Sequence, residues 1–81
     1  MGTERTRDGI RISKIIQAVQ GIGDLEVRKG TKHLYILNYG NLIPCPVEKS
    51  TSARTMLVPW LKQATGFNRE TIYQALRKGR W

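Results

Sequence analysis

Leu25-Glu26-Val27-Arg28-Lys29-Gly30-Thr31-Lys32-His33-Leu34-Tyr35-Ile36-Leu37-Asn38-Tyr39-Gly40-Asn41-Leu42-Ile43-Pro44-Cys45-Pro46-Val47 is the stretch that decides the fold. Leu25 and Val27 alternate with Glu26 and Arg28, the period of a half-buried strand. Lys29-Gly30-Thr31 turns the chain, and Lys32 to Tyr39, rich in Leu, Ile and Tyr, reads as a second strand. Gly40-Asn41 is a tight-turn signal, after which Leu42 to Val47 reads as a third. Pro44 and Pro46 have no N–H to give a ladder, which puts this strand at an edge or makes it irregular. With such short turns the three strands are expected to form an antiparallel meander.

Outward from the meander the period changes. Ile12, Ile15, Ile16 and Val19 fall on one face of a helix, with Asp8 expected as its N-cap and Gly21 and Gly23 as its stop. Residues 1–8 read as a charged, mobile lead-in, and 9–81 as one domain. On the other side, Ser50 to Arg54 is a polar connection. Thr55 to Ala64 then reads as a helix using Leu57, Trp60 and Leu61. Pro59 fits if Thr55 or Met56 is the N-cap, because the first turn has no partner for that N–H anyway. Gly66 ends this helix, and Asn68 caps a last one from Arg69 to about Lys78 with Ile72, Ala75 and Leu76 inward. The expected fold is α+β, in the order αβββαα, a three-stranded antiparallel sheet with helices on one face.

Strand residues alternate between faces, so Leu34 and Ile36 share one side while His33, Tyr35 and Leu37 share the other. Periodicity slightly favours Leu34 and Ile36 under the helices, which would leave His33 and Tyr35 together on the open face. The other register, with Tyr35 and Leu37 inward, stays open.

The composition narrows the partner. At 81 residues, 40% of them hydrophobic, the chain builds one domain with a small core. Cys45 is the only cysteine, so no internal disulfide forms and a four-thiolate zinc site is excluded; a single thiol fits a reducing, cytoplasmic setting. Between two prolines it reads as a small packed hydrophobe rather than a nucleophile. No apolar run approaches the roughly 20 residues of a membrane span, and residues 1–11 lack a signal core, so neither membrane insertion nor secretion is expected. Fourteen Lys plus Arg oppose six Asp plus Glu, a net charge of +8. That potential favours polyanions and makes nucleic acid the leading partner class.

The chemistry-bearing residue is His33, the only histidine. Imidazole alone among side chains has an unperturbed pKa in the neutral range, as a general acid or base for RNA cleavage requires. Arg28, Lys29 and Lys32 are candidates to hold phosphate, and Tyr35 to stack on a base or donate a hydrogen bond. Gly30-Thr31 reads as a turn, with approach of its amides to a phosphate as the alternative.

Gly30-Thr31-Lys32-His33-Leu34-Tyr35 resembles the Gly-Ser/Thr-x-His signature of the HicA family, small RNA-cleaving toxins of bacterial toxin–antitoxin pairs. Leu42-Ile43-Pro44-Cys45-Pro46 is similar to that family's apolar third strand ending in proline. Thr55 to Gly66 resembles its helix, which typically runs Thr-Leu-x-x-Ile-Leu-x-x-Ala-Gly. Where many relatives carry a second histidine after the third-strand proline, this chain has Cys45 or Val47. The resemblance implies a fold akin to double-stranded RNA-binding domains. It also implies a metal-independent messenger-RNA endonuclease without cofactor, with His33 as its catalytic residue, and a HicB-like antitoxin as its protein partner.

A rival reading comes from residues 57–78, which look like a helix-turn-helix with Gly66 in the turn and Ile72 packing back. Asn68, Arg69, Thr71 and Gln74 would then face a DNA major groove, and Lys62 occupies a position that is usually small in that motif. Trp60 reads as core, and Trp81 either stacks on a base or docks back on the fold.

Overall fold

The computed structural model describes residues 4–30 and 34–81. The elements are α1 (Ile12–Val19), β1 (Leu25–Arg28), β2 (Tyr35–Tyr39) and β3 (Cys45–Val47), then a π-helical turn (Ala53–Leu57) running into α2 (Val58–Thr65), and α3 (Arg69–Lys78). The fold is α+β, with a three-stranded antiparallel sheet in the order β1-β2-β3.

β3 is an edge strand, as its prolines require, and Pro46 sits opposite Ile36. It is shorter than expected. Leu42 returns its N–H to the Tyr39 carbonyl at 3.0 Å, and the Ile43 carbonyl accepts the Trp60 indole N–H at 2.7 Å. Ile43 and Pro44 therefore stay outside the ladder.

The register settles which side of the sheet is covered. Leu25 pairs with Tyr39, Val27 with Leu37, Leu37 with Cys45 and Tyr35 with Val47, so all of these lie on one face. Leu37 and Val47 are fully buried there, and Leu25, Val27 and Tyr35 pack against the same core. Glu26, Arg28, Ile36, Asn38 and Pro46 lie on the other face. The favoured expectation is thus corrected: Tyr35 and Leu37 point under the helices and Ile36 away, although Leu34, just before the strand, also packs against the core. Four consecutive apolar residues from Leu34 to Leu37 make the strand's own pattern nearly neutral, and pairing with two neighbours decides it.

Ile12, Ile15, Ile16, Ala18 and Val19 bury the inner face of α1, Val58 and Leu61 that of α2, and Ile72, Ala75 and Leu76 that of α3. α3 follows its expected boundaries: Asn68 Oδ1 accepts the Thr71 N–H at 2.8 Å, and Gly79 closes the helix at φ 82°. Gly66 likewise ends α2 at φ 81°.

Two helix starts differ from expectation. The run containing Pro59 begins at Ala53, with Ser52 as its cap, and opens with a π turn in which Val58 N–H reaches the Ala53 carbonyl. Pro59 lacks an N–H, and its ring crowds the carbonyl four residues back; the wider turn ahead of it makes that room. Asp8 does not cap α1. Arg11 holds that position without a side-chain cap bond, and the Ile12 N–H goes to the Glu4 carbonyl at 3.0 Å. Asp8 instead accepts the backbone N–H groups of Ala53 and Arg54, each at 2.9 Å, and the Thr6 hydroxyl at 2.7 Å. It caps a helical run that begins 45 residues further along the chain.

Residues 4–8, read from sequence as mobile lead-in, are bonded into the fold. Arg5 bridges Arg11, Thr6 N–H reaches the Ile10 carbonyl at 2.8 Å, and Arg7 N–H reaches the Thr51 carbonyl at 2.9 Å. Gly9 makes the reversal at φ 87°, in the left-handed region that a glycine enters without strain.

Candidate nucleic-acid interface

The meander delivers part of the motif that suggested chemistry. β1 ends on Arg28, and Lys29 and Gly30 follow it directly. Arg28 and Lys29 are exposed, and Arg28 Nε donates to Glu26 Oε1 at 2.9 Å. A largely exposed pair of this kind contributes little to stability, so the guanidinium can exchange its carboxylate for a phosphate at small cost. Thr31, Lys32 and His33 lie outside the described residues. Tyr35 lies on the covered face opposite Val47, half-buried against the core, so its expected place on the open face is corrected.

The helix-turn-helix candidates fall on α3 and its cap. Asn68, Arg69 and Thr71 are exposed. The Asn68 oxygen is engaged as the cap, and Gln74 donates to Glu70 at 3.1 Å. Ile72 is fully buried behind them, and Lys62 stands in solvent rather than between the helices.

Arg69, Tyr73 and Arg77 recur every four residues and so form a stripe along α3. The Arg54 guanidinium lies 4.4 Å from the centre of the Tyr73 ring, and that of Arg77 lies 6.0 Å from it. Both cations are held over an aromatic face while remaining exposed. At the Arg77 end the stripe reaches an open cleft of about 370 Å³ lined by Arg5, Gly9, Ile10, Arg11, Lys14 and Arg77. Sequence reading missed this grouping, because its cations come from three segments that only the tertiary fold brings together. Net charge was the one signal available.

Trp81 docks back: its indole N–H donates to the Ala18 carbonyl at 2.8 Å, and its ring lies 5.1 Å from that of Phe67. Trp60 is half-buried against the core. Cys45 is buried on the covered face of the sheet, and desolvation pushes its thiol up to about 11. Its pairing with Leu37 explains why it behaves as a core residue. In the native protein it is expected to react with a disulfide reagent at pH 8 orders of magnitude more slowly than after unfolding in urea, as thiol titration would show.

Among the described residues no group of three or more His, Cys, Asp or Glu is placed to hold a metal ion, and no helix is long and apolar enough to cross a membrane. No family model, no curated protein and no solved structure matches this chain.

Proposed function

We propose that the chain is a HicA-like, metal-independent messenger-RNA endonuclease of the cytoplasm, held in check by a HicB-like antitoxin. The observation that carries this reading is the meander itself: β1 ends on the exposed Arg28, the exposed Lys29 follows it, and Gly30 leads from them into the segment bearing the only histidine. In the proposed reaction the ribose 2′-oxygen attacks the adjacent phosphorus and the bond to the 5′-oxygen breaks. The products are a 2′,3′-cyclic phosphate and a 5′-hydroxyl end. His33 takes the proton from the 2′-hydroxyl or gives one to the leaving oxygen. Arg28, Lys29 and Lys32 stabilise the charge that builds on the phosphorane. With one imidazole, water serves as the other proton carrier, and the enzyme is slow.

Purified protein is expected to cut a long messenger RNA in EDTA, leaving 5′-hydroxyl ends. Its induction is expected to arrest growth unless the neighbouring antitoxin gene is co-expressed. RNA left intact over hours at micromolar protein removes the proposal.

The competing reading is a DNA-binding module built on α2 and α3. Its supporting observations are the exposed Arg69 and Thr71 on a capped helix and a Lys62 that does not obstruct the helix pair. Such a module shifts an operator fragment and is indifferent to His33.

A further inference from the structure

The cleft between the 4–11 hairpin, α1 and α3 is lined by Arg5, Arg11, Lys14 and Arg77 and, among the described residues, by no carboxylate. Arg5 donates to the Gly9 carbonyl at 3.1 Å, which fixes the hairpin wall. Arg11 and Arg77 are exposed, and no carboxylate among the described residues pairs with them or with Lys14. α1 begins at this cleft with no acidic side chain in its first turn, so its N-terminal partial charge adds to theirs. Four cations around one open concavity repel one another in the free protein, an arrangement that costs stability unless an anion enters. Arg54 and Arg77, both held against Tyr73, prolong the positive surface away from the cleft along α3.

We propose that this cleft is a phosphodiester-binding site that anchors a nucleic-acid strand between the 4–11 hairpin and the helices α1 and α3. The strand continues from the cleft along the Arg77–Tyr73–Arg54 stripe. The proposal extends the nucleic-acid part of the proposed function and does not depend on its chemistry.

Binding is therefore measured with a single-stranded 2′-O-methyl RNA, which has no free 2′-hydroxyl and is not cleaved. The variant Arg11→Gln/Lys14→Gln/Arg77→Gln is compared with a charge-matched control, Lys49→Gln/Lys62→Gln/Arg80→Gln, which removes exposed cations elsewhere. Fluorescence anisotropy in 0.1 M salt is expected to show about ten- to a hundredfold weaker binding for the cleft variant and a salt slope smaller by about 2, as loss of three phosphate contacts predicts. The control should lose much less. Equal losses in both variants would mean diffuse attraction and overturn the proposal. Amide shifts of the unmodified protein provide a test that needs no variant. The oligonucleotide should shift Gly9, Ile10, Lys14 and Gly79 in a saturable manner. Inorganic phosphate should shift them only weakly at millimolar concentration. Tight saturation by phosphate without a response to the strand would make the cleft a small-anion site and sink the proposal.

Discussion

His33→Ala is expected to lower the rate of RNA cleavage by at least about a hundredfold, the low end of what a positioned general acid or base contributes. The chain has no second histidine to substitute for it. Cys45 is no substitute either, because its thiol stays protonated at neutral pH and buried in the core. The same shortage sets the pH profile. Two imidazoles would give a bell, whereas one gives a single limb that bends where that imidazole titrates. A base yields a rate that rises through that pH; an acid yields one that falls. Circular dichroism should be unchanged, so that a lost rate reports lost chemistry. An alanine variant cutting RNA as fast as its parent would end the assignment of His33 as the catalytic residue while leaving the cleft intact as a binding site.

Asp8→Ala is expected to destabilise the fold by about 2 kcal/mol, the upper end for a lost cap, because one carboxylate accepts two helix-start N–H groups. For a domain of this size that is about 8–16 °C in Tm. The effect exceeds that of an ordinary cap because Asp8 lies on the 4–11 hairpin and its two acceptor bonds tie that hairpin to the start of the α2 run. It also has a pH signature. Partial burial pushes the carboxyl up, but the Thr6 hydroxyl and the Ala53 and Arg54 amides outweigh it and hold the group below its ordinary value of 3.8. A carboxylate depressed in the folded state stabilises fully above its unfolded pKa, and that contribution is lost as pH falls through the folded value. Urea unfolding should therefore show parent stability dropping below about pH 4, with a flatter acid limb in Asp8→Asn. Identical urea midpoints for parent and Asp8→Ala at pH 7 would contradict the capping role.

The elements were largely legible. The periods of Ile12–Val19 and Ile72–Leu76, and the punctuation by Gly66, Asn68 and Pro46, rest on interactions between near neighbours in the chain. Legibility failed where a residue's partner is distant. Asp8 precedes the first helix by a few positions and looks like its cap, yet its acceptor oxygens serve amides 45 and 46 residues away. Tyr35 looked like half of an exposed pair with His33 because the run Leu34–Leu37 has no internal preference. The π turn before Pro59 had no signal beyond the proline itself.

By itself the sequence determined the α+β class, the order αβββαα, the edge position of the proline-bearing strand and a strongly positive protein with one histidine. These follow from side-chain period, backbone constraint and charge, all local or additive. Only the tertiary structure decided which face of β2 is covered, which helix Asp8 caps and which of fourteen cations stand together. Each of those depends on how segments far apart in the chain pack, and packing selects among local patterns that are close in energy.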